Sequence, residues 1–338
     1  MLKPVNIAKF KKKASLKNRY SKQLRRLRSQ GIQTNCIETA VKNAVANLAK
    51  TKTASLVIYG EPQSGKTEMM ICLSAKLLDD KHRTIVHLMN DSVDLLSQNL
   101  KRFKASGLAP GAKTSSELIN SPLAAQEIVV FCKKNAKDLQ KLIRKLKDKD
   151  HVVVIDDEAD YASPNSRINQ KKKTRINELV GKLIGPDGYY VGVTATPARL
   201  NLNQTFQNDV EKWVQFPAHA KYTGQDVFFP LDRKVKYRLV RLRRTGNPTD
   251  AEDALLRFLV TSAHLNTSIN KAEKNYTFLV HTSGRKSAHE ADRRTIEKTV
   301  TALGNNRSPE FARLIRSACT RANSLFDVRP RQNNGIRR

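Results

Sequence analysis

Three short segments of the chain place chemistry-bearing residues at informative spacings. Gly60-Glu61-Pro62-Gln63-Ser64-Gly65-Lys66-Thr67 follows the pattern GxxxxGK[ST]. In such a loop the backbone N–H groups and a helix N-terminus surround phosphates, a lysine neutralises the β/γ charge, and a hydroxyl completes a Mg²⁺ shell. Gly60, Gln63, Ser64, Gly65, Lys66 and Thr67 are therefore the candidate nucleotide ligands, with Lys66 also counted among the catalytic groups and Thr67 among the metal ligands. The second segment, His151 to Asp160, is an apolar run that ends in Asp156, Asp157, Glu158 and Asp160, four carboxylates within five residues. A buried strand ending so acidically implies a cation, here Mg²⁺ beside ATP. Asp157 is expected to hold the metal through water, and Glu158 to orient or deprotonate the water that attacks the γ-phosphate. Asp156 also directly follows the apolar run, so the metal role stays open between it and Asp157.

The third segment is Tyr189 to Pro197, an apolar run that stops in Thr194-Ala195-Thr196-Pro197. These segments need a scaffold, and the intervening sequence spells one. Compact aliphatic runs at Leu56–Tyr59, Ile85–Met89, Ile128–Cys132, Val152–Ile155 and Tyr190–Val193 alternate with helical patterns at Thr67–Leu78, Ser92–Phe103, Ala136–Lys147 and Thr174–Ile184. Strands that alternate with helices, and that are apolar on both faces, predict an α/β fold with a doubly wound parallel sheet of the RecA-like P-loop type. Upstream, Asn35 and Glu38 have capping-box spacing ahead of a helix with Ile37, Val41, Ala44, Val45 and Leu48 on one face.

The chain has 338 residues, with 62 Lys+Arg against 31 Asp+Glu, a formal net charge of +31. This excess predicts a polyanionic partner, nucleic acid before a membrane surface, because each cation set on a phosphate releases counterions. No run of about 18 apolar residues predicts a membrane span and no signal peptide is legible, so the expected location is the cytoplasm. Cys36, Cys72, Cys132 and Cys319 are scattered, which argues against a disulfide framework or a structural zinc and predicts isolated buried thiols. The expected organisation is a basic arm over residues 1–33, a RecA-like lobe over 34–230, a basic linker over 231–250, and a partial second α/β lobe with a basic tail over 251–338. The arm carries eleven Lys/Arg and no acid in its first thirty residues, with Leu16, Tyr20, Leu24 and Leu27 at helical spacing. The second lobe is expected to begin with a helix at Ala251–His264 and a strand at Thr277–His281. Trp213 and Phe216 read as core, and Lys171-Lys172-Lys173 as a loop that could reach a phosphate backbone.

The ordered triple of P-loop, Asp-Glu-Ala-Asp at 157–160 and Thr-Ala-Thr-Pro at 194–197 resembles the first motor lobe of superfamily 2 helicases and translocases. Together with Phe131-Cys132-Lys133-Lys134-Asn135, Tyr222-Thr223-Gly224 and Leu279-Val280-His281-Thr282-Ser283, it resembles the Z-one domain, a superfamily 2-like ATPase module labelled an endonuclease and found in bacterial and phage-linked proteins. The resemblance covers residues 34–290. It implies an ATP- and Mg²⁺-dependent helicase- or translocase-like enzyme acting on nucleic acid, DNA ahead of RNA, in a DNA-processing or defence system. It also implies that Thr194 and Thr196 couple the γ-phosphate state to nucleic acid. The Gly-Arg-rich helix that would complete the second lobe is not legible, and Arg285, Arg316 and Arg321 are left as arginine-finger candidates. A partner chain could supply the remainder, and the rival reading is a nucleotide-sensing, nucleic-acid-binding subunit that needs another chain for hydrolysis or nuclease activity. No nuclease centre is legible: the chain contains no Glu-x-Lys, its two Asp-x-Lys triplets lie at a helix end and in a basic linker, and His281 and His289 have no acidic or metal partner at a suitable spacing.

Overall fold

The computed structural model describes residues 18–50, 55–123, 127–161, 174–197, 213–220, 222–224, 248–268, 276–280 and 286–326. The chain divides into two compact units, Met1–Lys234 and Val235–Arg338.

The first unit is built on a seven-stranded, wholly parallel sheet. Its strands are β1 (Ser55–Tyr59), β2 (Thr84–Met89), β3 (Lys113–Thr114), β4 (Ile128–Lys133), β5 (Val153–Asp157), β6 (Tyr189–Thr194) and β7 (Val214–Gln215), in the spatial order β3-β4-β2-β5-β6-β1-β7. The five predicted strands are β1, β2, β4, β5 and β6, displaced by a residue or two at their ends. Helices cover both faces. α1 (Arg19–Ser29), α2 (Asn35–Leu48), α3 (Lys66–Asp79) and α4 (Val93–Ala105) share one core with Ile85, Val153, Ile155 and Val191. On the other face, α5 (Ser115–Ile119), α6 (Ala136–Lys145) and α7 (Arg175–Ile184) share a second core with Val86, Val130, Val154 and Tyr190. Alternate residues of one strand thus feed opposite cores, as the pleat requires.

Three expectations need correction here. Residues 19–29 are not part of a free arm: Leu24 and Leu27 are buried, and α1 packs on α3. Three of its five basic residues are paired within the lobe, Arg19 with Asp79 and Glu127, Arg26 with Glu68 and Arg28 with Glu38. The Asp79 carboxylate, at the end of α3, accepts the Arg19 and Tyr20 backbone N–H groups at 3.2 and 3.0 Å, so an acid from another helix caps α1. The rest of the basic arm, residues 1–17, lies outside the described residues. Second, the cap of α2 is Thr34 rather than Asn35, with the Thr34 hydroxyl donating to Glu38. Third, only Cys72 and Cys132 are buried thiols; Cys36 is half-buried and Cys319 exposed. Burial pushes Cys72 and Cys132 up to about 12.

In the second unit the described residues form α8 (Pro248–Ser268), α9 (Lys286–Leu303) and α10 (Pro309–Phe326). The strand expected at Thr277–His281 is not seen among the described residues: there residues 276–280 pair with no other strand, and His281 lies outside them. Phe278 instead stacks on Phe258 of α8 at 5.1 Å, while Leu279 is 85% exposed. Arg313 forks onto Glu252 at 2.9 and 2.7 Å, tying α10 to α8. No helix among the described residues is long and apolar enough to cross a membrane.

Candidate active site

The site lies where β1, β5 and β6 end. β1 runs into the phosphate loop, and α3 begins at Lys66 with Gly65 as its N-cap at φ +95°, a left-handed conformation that favours glycine. Gly60 meets a different constraint, because a Cβ there would lie 2.8 Å from the Phe216 carbonyl oxygen behind it. Phe216 is buried, as expected of core, whereas Trp213 is half-buried against Val57, Ala159 and Tyr59. The first N–H groups of α3 have no helical carbonyl to bond and open toward the loop. Ser64 is buried, and its hydroxyl has no hydrogen-bond partner among the described residues. Lys66 reaches back over the loop, its Nζ donating to the Gly60 and Glu61 carbonyls at 3.1 and 2.6 Å. Burial lowers its pKa, against the opposing pull of Asp157 and Glu61.

Pleat parity puts the two candidate carboxylates of β5 on opposite faces. Val152 and Val154 face the core of α6 and α7, and Asp156 continues that face. Its carboxylate is fully buried, accepts the Tyr190 hydroxyl at 2.8 Å and lies 3.1 Å from Lys134 Nζ. Asp156 is therefore withdrawn as a metal ligand. Val153 and Ile155 face the α3 side, and Asp157 continues that face into a cavity of about 920 Å³ shared with Lys66, Thr67 and Glu158. Burial first, and the neighbouring Glu158 charge second, push the Asp157 carboxyl up to about 6. Glu158 sits at φ +51°, and its carboxylate accepts the Asn90 side-chain amide from the end of β2.

Thr194 and Thr196 meet Asp160. Each hydroxyl donates to one oxygen of that carboxylate at 2.6 Å, and the Thr196 N–H donates to the Thr194 hydroxyl at 2.9 Å. Although burial opposes ionisation, these two donors hold Asp160 below the usual carboxylate range. The acidic and Thr-Ala-Thr segments are thus one hydrogen-bonded unit.

The structure adds residues that the sequence reading did not assign to the site. Arg102 on α4 donates to the Thr67 hydroxyl at 3.3 Å, and that hydroxyl donates to Asn99 at 3.3 Å. The signal was available, since Asn99 and Arg102 are one helical turn apart on α4. Lys134, in the basic stretch after β4, turns out fully buried. Tyr222 lies beside the phosphate loop, its hydroxyl donating to the Pro62 carbonyl at 2.5 Å. Of the arginine-finger candidates, Arg321 is held by Asp253 within its own unit, Arg316 is exposed, and Arg285 lies outside the described residues, as does Lys171-Lys172-Lys173. His289 sits on α9.

None of the curated proteins matches this chain. Among solved structures, it is similar to a nuclease-deletion mutant of the type ISP restriction-modification enzyme LlaGI in complex with a DNA substrate mimic, at 19% identity and a TM-score of 0.37, covering 49% of this chain and 15% of that one. It is also similar to the Hef helicase domain of Pyrococcus furiosus, at 15% identity and a TM-score of 0.32, covering 86% and 60%. A third likeness is to the genome packaging NTPase B204 of Sulfolobus turreted icosahedral virus 2 in complex with ATP-gammaS, at 18% identity and a TM-score of 0.28, covering 42% and 64%. The chain thus spans less than two thirds of each of these proteins. Residues 38–215, just over half of the chain, match the SWI2/SNF2 ATPase family, and that stretch runs from α2 through the phosphate loop, the acidic loop and the Thr-Ala-Thr segment to β7. The chain belongs to the SWI2/SNF2 ATPase family.

Proposed function

We propose that the chain is a helicase- or translocase-like motor component that binds ATP·Mg²⁺ in the cavity above β1 and β5 and uses hydrolysis to change its grip on nucleic acid, DNA ahead of RNA. The observation that carries this reading is the convergence of Lys66, Thr67, Asp157 and Glu158 on one cavity whose acidic wall is bonded through Asp160 to Thr194 and Thr196. The donor set fits a triphosphate and its metal. The buried Ser64 hydroxyl lacks a partner, α3 opens onto the loop, and Thr67 and Asp157 offer hard oxygen ligands of the kind Mg²⁺ takes. Held by Thr67 and Asp157, the metal would supply positive charge to offset that of the phosphates.

The chain's own groups do the rest. Lys66 leaves the loop carbonyls to pair with phosphate oxygens, and an ammonium suits that role because it is a compact charge on a flexible stem. Glu158 accepts a proton from, or orients, the attacking water, with the Asn90 amide fixing its carboxylate. Thr194 and Thr196 pass any movement of Asp160 to the end of β6. The resemblance to Z-one modules is carried mostly by this lobe and supports a DNA-processing role of that kind, with no nuclease centre assigned.

Measuring ATP turnover with and without single- and double-stranded DNA and RNA tests the proposal. Stimulation by one of them, with binding that weakens linearly in log salt at ~0.7–0.9 per phosphate neutralised, is the expected result. Turnover indifferent to every nucleic acid would defeat it. With Arg321 engaged by Asp253, turnover by the isolated chain is expected to be slow, and a cation from a partner chain would raise it.

A further inference from the structure

Lys134 follows the last residue of β4, and its backbone N–H still pairs with the Met89 carbonyl at 2.8 Å, so its side chain continues the face of Val130 and Cys132. That face leads under β5, where Lys134 and Asp156 are both withdrawn from solvent. Four acceptors surround the ammonium. It donates to the carbonyl oxygens of Asp157, Glu158 and Tyr161 at 2.9, 2.8 and 3.0 Å, and Asp156 Oδ1 lies 3.1 Å away. An ammonium has three protons, and the three carbonyls use them. Asp156 Oδ1 accordingly accepts no hydrogen bond, so the Asp156 pairing is one of charge alone. Asp156 neutralises the lysine, and the lysine's directional bonds all go to the loop.

This loop needs outside help. Beyond Asp157 the ladder ends and the chain turns through Glu158 in a left-handed conformation; the Tyr161 N–H reaches the Glu158 carbonyl, and Lys134 serves that carbonyl together with those of Asp157 and Tyr161. Burying a charged pair carries a desolvation cost, and apolar side chains could fill the same volume without it. The arrangement makes sense if what it secures is one particular course of the backbone.

We propose that Lys134 is a positioning residue for the acidic loop: it holds the carbonyls of Asp157, Glu158 and Tyr161 from beneath, fixing the backbone from which Asp157 and Glu158 face the nucleotide cavity. On the cavity side, Thr194 and Thr196 hold Asp160, so the loop is fastened from two directions. The role in catalysis rests on the ATPase reading above, whereas the role in loop geometry does not.

The test compares Asp156→Asn with Lys134→Met/Asp156→Asn, both of which avoid leaving a buried carboxylate uncompensated. Relative to Asp156→Asn, the double variant should keep a cooperative melt and lose ~10-fold or more in kcat, with KM for ATP moving less than ~3-fold. Hydrogen exchange supplies a readout independent of turnover. The Ala159 and Tyr161 amides, now bonded to the Val193 and Glu158 carbonyls, should exchange at least ~10-fold faster in the double variant, while β5 stays protected. Lys134→Gln/Asp156→Asn, which restores two donors, should recover part of that protection. Double variants that match Asp156→Asn in both kcat and exchange would overturn the proposal. So would loss of cooperative folding in both while Asp156→Asn folds, since the lysine would then serve the whole lobe rather than the loop. Absence of ATP binding and turnover in the parent would instead defeat the ATPase reading and leave the exchange comparison standing.

Discussion

The two loops that face each other across the nucleotide cavity are held in opposite ways. The phosphate loop is shaped mainly by its own residues, with Tyr222 on the Pro62 carbonyl as a distant contact: Gly65 takes the left-handed N-cap, Gly60 leaves room for the Phe216 carbonyl, and Lys66 folds onto carbonyls five and six positions earlier. The acidic loop is shaped from a distance. Its backbone is held by Lys134 from β4, Glu158 is met by Asn90 from β2, and Asp160 by Thr194 and Thr196 at the end of β6. A loop that carries its own geometry can be recognised as a contiguous motif, whereas one held by three other strands can be recognised only after those strands are assembled.

The largest effects should come from the chemical groups themselves, and they should divide between the loops. Lys66→Ala is expected to weaken ATP binding by about 100-fold or more in calorimetry, because the ammonium is the main protein counterion to the phosphates. Affinity equal to the parent's would remove the phosphate loop from the site. Glu158→Gln should leave binding intact and reduce hydrolysis by ~10²-fold or more, since a positioned base is lost while the phosphate cradle survives. Unchanged turnover would move the base to another carboxylate of the loop.

A smaller effect probes the self-contained loop. Gly60→Ala places a Cβ 2.8 Å from the Phe216 carbonyl, and backbone cannot yield as a flexible side chain can. A loss of about 1–3 kcal/mol in denaturant unfolding is expected, the range of overpacking in a well-filled core. Full stability in that variant would mean that the β1–β7 edge yields more readily than its pairing through Ile58 and Val214 suggests.

Legibility followed the same division. The five longer strands and the helices between them could be read because each is a local pattern, and Gly60 to Thr67 could be read because its ligands are consecutive. The choice between Asp156 and Asp157 could not be made locally. It depends on which face of β5 each occupies, and so on Tyr190 and Lys134 being on the other side. Lys134 stands in a run, Lys133–Lys149, with eight Lys/Arg, and the parity from Val130 and Cys132 shows that it points inward. α1 misled for a related reason: in a basic sequence the arginines outweigh Leu24 and Leu27, whereas in the structure those leucines decide where the helix lies. At Thr277–His281 an aliphatic run predicted a strand, but strand formation depends on a neighbour that a run of residues does not specify.

A last predicted effect separates the loops by their response to pH. Across the range from 5 to 7 the expected response lies in the acidic loop, whereas in the phosphate loop burial lowers the Lys66 ammonium from its ordinary value against the pull of Asp157 and Glu61. Asp157, pushed up to about 6 by burial and by Glu158, changes charge inside that range. Metal ligation needs the carboxylate, so Mg²⁺-dependent ATP binding should weaken about 10-fold as pH falls from 7 to 5. Stability should respond in the opposite sense. Between about 4 and 6 the folded state keeps the Asp157 proton that the unfolded chain has released, so this group's contribution to stability falls as pH rises through that window. His87 works against it: fully buried and lowered to about 3, it must be charged on unfolding below about 6.5, so its contribution is lost as pH falls. Comparing the parent with Asp157→Asn removes the His87 contribution, which the two share. The difference in unfolding free energy should change by about 2 units' worth of protonation, roughly 3 kcal/mol, and do so between pH 4 and 6. A flat difference would place Asp157 in an ordinary solvated environment, and the distinction between a loop set by its own backbone and one set by its surroundings would lose its electrostatic half.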